Sequence, residues 1–140
     1  MTADPDVTLP WQTPIAVDDV EPSVYRVLAD GGLDTDTWRK TIVAPPNGEA
    51  VFYVRLGPGA SSPRHWHPSD TVYIVRRGEL VIPGEGTYKE GEVRWVRGGT
   101  AYGPEMGGPD GVEFWFVSMG AFGTIDPEVT PPPPRGRVHS

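Results

Sequence analysis

The chain has 140 residues, enough for one domain with a core of its own. Its 12 Lys and Arg against 19 Asp and Glu leave a net charge of -7 with no basic cluster, so nucleic acid is not an expected partner. No apolar run reaches the ~18 residues of a membrane span, no signal peptide pattern is visible, and the lack of cysteine excludes disulfides and thiol chemistry, so a cytoplasmic protein is expected.

In chain order, residues 1–20 are polar and proline-punctuated, with Trp11 and Ile15 as anchors, and read as an N-terminal arm. Residues 21–125 read as the folded domain. Tyr25-Arg26-Val27-Leu28 looks like a first strand, closed by Asp30-Gly31-Gly32. Trp38 to Val43 is a second, ended by Pro45-Pro46-Asn47-Gly48. Ala50 to Leu56 alternates around Phe52, Val54 and Leu56. Thr71 to Arg77 carries Thr-Val-Tyr-Ile-Val, nearly all β-branched or aromatic, and Arg77-Gly78-Glu79 is expected to turn it into Leu80-Val81-Ile82. Val93 to Val96, Thr100 to Tyr102 and Val112 to Val117 follow, with Gly107 to Gly111 as a loop. Residues 126–140 hold Pro131 to Pro134 and read as a flexible proline-rich tail. The 18 glycines and 17 prolines lie among the apolar runs, which signals an all-β sandwich or barrel. No 3.6-residue pattern marks a long helix.

His65-Trp66-His67 is the pattern with the most chemistry in it. Residues i and i+2 of an extended strand face the same way, so both imidazoles project together, near enough to hold one metal ion or one polar ligand. Trp66 points the other way and is expected in the core between sheets or at a subunit contact.

Gly59, His65-x-His67, Thr71 and Gly78 stand at the spacing of the first motif of the cupin family, which this chain resembles; that motif runs Gly, His-x-His, Glu, Gly. Val72 to Val75 followed by Arg77-Gly78-Glu79-Leu80 matches the family's apolar strand and glycine turn. Gly91, Gly99 and Tyr102 follow the second motif in outline. The resemblance covers about residues 38 to 118. It implies a cupin-like antiparallel β-barrel, a double-stranded β-helix of jelly-roll type, with a ligand or metal site at one mouth. The family's metal is usually held by three histidines and one glutamate. Here Thr71 stands at the glutamate position and Tyr102 at the last histidine position. Arg97 replaces the second motif's proline and Met106 its asparagine.

Only His65 and His67 therefore carry over as metal ligands. Asp70 is one residue from the lost glutamate and faces the opposite side in a regular strand. Glu105, just past Tyr102-Gly103-Pro104, is the better substitute. By parity, Thr71 and Tyr73 face the interior with the histidines, and Tyr102 faces it from the opposing strand. Arg55 and Arg97 fall near the expected mouths, where a guanidinium binds a carboxylate in bidentate fashion.

Three functions fit this pattern. In the first, the chain is an oxygenase, isomerase or cyclase of a small aromatic or ketonic compound. There His65 and His67 hold iron, zinc, nickel or manganese with help from Tyr102, Glu105 or water. In the second, a metal-free pocket uses His65, His67 and Tyr102 for acid–base chemistry, with Thr71, Tyr73, Arg55 and Glu105 contacting the ligand. In the third, the pocket serves a non-catalytic sensor. A homodimer is expected in each case, because small open barrels expose edge strands that a neighbour's arm can cover.

Overall fold

Short β-branched and aromatic runs, separated by glycine and proline, form the eight strands of the computed structural model, which describes residues 13–46 and 48–133. The strands are β1 (Ser23–Val24), β2 (Trp38–Val43), β3 (Ala50–Leu56), β4 (Ser61–Ser62), β5 (Thr71–Ile82), β6 (Gly86–Lys89), β7 (Val93–Val96) and β8 (Glu105–Ser118). Among the described residues the helical structure is a single 3-10 turn, Val17–Asp19. All pairings are antiparallel, in the order β1-β2-β3-β8-β5-β6, with β4 on β8 and β7 on β5. This ladder does not return on itself. The expected barrel is an open one, wrapped around a shared core rather than closed by hydrogen bonds.

Two glycine segments behave differently from their sequence reading. The turn expected at Arg77-Gly78-Glu79 is a bend inside one continuous strand, with register irregularities between Val75 and Arg77 and between Gly78 and Leu80. The loop expected at Gly107 to Gly111 lies inside β8. The reason is a close approach of the two strands. Gly78 has φ 71°, and a Cβ on it would lie 2.1 Å from the carbonyl oxygen of Gly111. Glycine here marks a bulge and a backbone contact rather than a chain reversal. The expected first strand also differs. Tyr25 and Val27 are about half or more exposed, so propensity without burial yields only the short β1 and an isolated bridge from Val27 to Leu33.

Alternation then sorts the side chains. Val112, Phe114 and Phe116 of β8 face inward with Phe52, Val54 and Leu56 of β3 and with Tyr73, Val75 and Leu80 of β5, forming the core. The outward residues also line up. Val43, Val51, Val117, Val72 and Trp95 stand in register across β2, β3, β8, β5 and β7. Beside them runs a second row, Tyr53, Trp115, Ile74 and Val93.

Both flanking segments touch the sheet. Lys40 donates from Nζ to the Val17 carbonyl. Trp66 is buried, but under its own chain: it bridges Ile125, and its indole N–H donates to the Thr130 carbonyl at 2.8 Å. The part of the proline-rich segment up to Thr130 is thus tied to the domain. Trp11 and residues 134–140 lie outside the described residues.

Gly59 shares the φ of 71° with Gly78 but would find nothing within 4 Å of an added Cβ. Gly59→Ala is expected to cost only the left-handed backbone penalty, about 1–2 kcal/mol. Gly78→Ala should cost at least about 2 kcal/mol more, or prevent folding, because β5 and β8 must separate. Urea unfolding of the two variants measures the difference, and equal costs would refute the close-approach explanation.

Candidate metal and ligand site

The two histidines sit between β4 and β5. His65 exchanges backbone hydrogen bonds with Tyr102 at 3.0 and 2.9 Å, while Trp66 exchanges its own with Ile125 on the other side. This alternation turns both imidazoles inward, where they are buried at 8% and 5% exposure. His65 Nδ1 lies 2.7 Å from the Pro63 carbonyl, and His67 Nδ1 lies 2.6 Å from the Gly123 carbonyl. A carbonyl only accepts, so each Nδ1 carries its ring's proton. Each neutral ring then presents an Nε2 lone pair, and the two Nε2 atoms are 3.1 Å apart. Burial lowers the pKa of both rings, that of His67 to about 4, so at neutral pH no proton separates the two lone pairs.

Glu105 opens β8 beside them. Its Oε1 is 3.4 Å from His65 Nε2, and its buried Oε2 has no hydrogen-bond partner. Burial pushes its pKa up to about 7, against the opposing pull of the Arg94 guanidinium. Among the described residues, no three His, Cys, Asp or Glu side chains already surround one point as a complete ligand set. The donors are two convergent imidazoles with a carboxylate at the edge of one of them.

Behind this group stands a layer of phenols. The Tyr73 and Tyr102 hydroxyls hydrogen-bond to each other, and the Tyr102 ring packs edge-on to His65 with centroids 4.8 Å apart. Burial raises both phenol pKa values, and the nearby Glu105 raises them further, so neither is a ready phenolate. Arg94 covers both rings, with its guanidinium 4.3 Å from the Tyr102 centroid and 4.9 Å from that of Tyr73. It is almost fully buried and pairs with Glu85 at 2.5 and 2.7 Å.

A cavity of about 200 Å³ opens next to the histidines. Its wall combines Phe52, Val54, Phe114, Phe116 and Phe122 with His65, His67, Tyr73 and Glu105, and continues to Ser62, Pro63 and Thr124 and to the exposed Tyr25 and Arg39. An apolar wall with a few convergent polar groups is the common form of a small-molecule site.

The sequence-predicted residues divide as follows. His65, His67, Tyr73 and Glu105 meet at the cavity. Tyr102 touches both histidine rings but is not part of the wall. Thr71 is fully buried, its Oγ1 has no partner, and it too is absent from the wall. Arg55 lies elsewhere, held by Asp36 at 2.8 and 3.1 Å and by Glu113 at 3.4 Å. Its β3 position pairs with Trp38 and Glu113 on the outward face, which directs it away from the cavity. Arg97 is exposed beyond β7, and Asp70 accepts from the Gly98 amide, away from the donors. Sequence reasoning missed Arg39, Arg94 and the phenylalanine walls. Parity carried the signal: Arg94 lies opposite Tyr73 and Arg39 opposite Val54, both on the inward face.

No sequence-family model matches the chain, and no curated protein is similar to it in sequence. Solved structures are similar in fold. An acetylacetone dioxygenase from Acinetobacter johnsonii is 15% identical, with a TM-score of 0.61 over 91% of this chain and 86% of that one. The polyketide cyclase RemF from Streptomyces resistomycificus is 19% identical, with a TM-score of 0.61 over 92% and 87%. An RmlC-like cupin protein from Ralstonia eutropha JMP134 is 17% identical, with a TM-score of 0.59 over 83% and 73%. The chain has the cupin fold, a double-stranded β-helix. No helix among the described residues is long and apolar enough to cross a membrane.

The buried acid and the buried imidazoles impose opposite pH dependences on the metal-free protein. Glu105 has a raised pKa, so its contribution is present below about 4.5 and is lost as pH rises through about 7. His67 has a lowered pKa, so its contribution is present above about 6.5 and is lost as pH falls toward about 4. Glu105→Gln should therefore stabilise the metal-free protein at pH 8 by up to about 3 kcal/mol and change little at pH 4. Denaturant melts at the two pH values test this; equal effects at both would place the ionised carboxylate in water.

Proposed function

We propose that this cupin-fold chain is an enzyme that binds a compact ketonic or aromatic compound in the cavity beside a divalent transition metal ion. The ion would be held by His65 and His67, with Glu105 as the third donor, and the reaction would be an oxygenation, isomerisation or cyclisation. The observation that carries this reading is the pair of unprotonated Nε2 atoms facing each other at 3.1 Å. Two lone pairs at that distance repel unless a cation lies between them, and two imidazole nitrogens each ~2.1 Å from one ion stand about this far apart. Both Nδ1–H groups donate to backbone carbonyls, the outer contact that orients metal-bound histidines. Two imidazoles with one carboxylate suit iron, nickel, manganese or zinc. The family resemblance and the similar dioxygenase and cyclase structures support the same class of chemistry.

The ion would supply a Lewis acid for a ligand carbonyl or enol oxygen. The chain's own groups do the rest. The phenylalanine walls take the apolar body of the ligand and exclude water. The backbone carbonyls of Pro63 and Gly123 keep both rings turned toward the ligand. Glu105, in a desolvated setting, accepts or returns a proton at the free carboxylate oxygen.

A second reading keeps the same pocket without an ion. The unpartnered Oε2 of Glu105, beside the His65 Nε2 lone pair, then forms an acid–base pair aimed into the cavity. Metal analysis of tag-free protein, followed by calorimetric titration with nickel or zinc, separates the two. In the metal reading, wild type binds one equivalent, and His65→Ala and His67→Ala each weaken binding about a hundredfold, or ~2.7 kcal/mol. Glu105→Gln should weaken it less, by about tenfold. Wild-type affinity no greater than that of His67→Ala would remove the ion and leave the acid–base reading.

A further inference from the structure

The cavity has one charged group of its own at the exposed end. Arg39 lies on the inward face of β2, opposite Val54, and its guanidinium sits 4.4 Å from the centroid of Phe52. The ion pairs among the described residues engage Arg26, Arg55 and Arg94, so no carboxylate among the described residues holds Arg39. An exposed arginine at a cavity mouth with no described carboxylate against it is placed to meet a ligand. A guanidinium lying over an aromatic ring keeps its planar N–H edge open, and that edge matches a carboxylate with two parallel hydrogen bonds. Tyr25, also exposed, lines the wall with it.

From this arrangement we infer that the cavity selects a small anionic compound, an aromatic carboxylate or a similar acid, whose charge meets Arg39 at the mouth while its ring lies among Phe52, Phe114, Phe116 and Phe122. This rests on the reading of the cavity as a small-molecule site and adds the charge of the ligand to it. Arg39 is the specificity-determining residue. Benzoate and benzamide share one shape and differ in charge, so calorimetric titration of both against wild type, Arg39→Gln and Arg39→Lys tests the idea. Wild type should prefer benzoate about fivefold at low salt, with the preference shrinking as salt rises. Arg39→Gln should lose the preference while keeping its benzamide affinity, and Arg39→Lys should retain part of it. Equal binding of the two probes to wild type, or a benzoate preference that survives Arg39→Gln, overturns the proposal and leaves the cavity reading intact. Binding of neither probe overturns both.

Discussion

The backbone contact between Gly78 and Gly111 is the constraint on which the rest of the structure depends. It lets β5 and β8 run side by side from Thr71–Ser118 to Val81–Met106 without breaking into separate hairpins. Every other strand hangs on one of these two, directly or through a neighbour: β3 and β4 on β8, β6 and β7 on β5, and β2 and β1 through β3. A side chain at Gly78 would force the strands apart where both bend, and the inward faces on either side of the bend would no longer share one core. The cavity owes its walls to the same ladder, because Tyr73 and Phe116 are cross-strand partners and Glu105 is the first residue of β8.

Desolvation organises the site built on that frame. The imidazoles are kept neutral and their Nδ1–H groups donate to backbone carbonyls, so their remaining lone pairs converge. The carboxylate beside them is held near its neutral form by the same burial. Arg94 moderates this from behind the phenol layer. Its charge is neutralised by Glu85 and spread over two aromatic faces, so it lies deep in the protein without an uncompensated field.

The two faces of the sheet carry different kinds of information. The inward face ends in a small apolar cavity with graded polarity, from the buried histidines and Glu105 to the exposed Arg39. The outward face carries two apolar rows, one of them crossing five strands. Trp95 is exposed within an apolar row rather than singly, so the pattern is informative where a scattered exposed leucine would not be.

Strand alternation made much of this legible in the residues alone. The all-β class, the strands at 38–43 and 50–56, the inward turn of His65 and His67 and the outward turn of Trp66 follow from period-two geometry and turn chemistry, which act locally. The cupin resemblance rested on glycine and histidine spacing, and the fold agrees with it. What the chain could not reveal by itself depends on residues distant in sequence. Whether Gly78 turns or bends is decided by Gly111, thirty-three positions later. Arg55 was read as facing a mouth, but Asp36 and Glu113 claim it on the outer side. An arginine in a sequence is expected in water, and only contact with Glu85 and two tyrosines accounts for Arg94 lying buried. Glu105 was named from its place after Gly103-Pro104, but its desolvation and its distance to His65 exist only once β8 is laid across the core. Local periodicity sets which way a side chain points, and tertiary contact sets what it meets there.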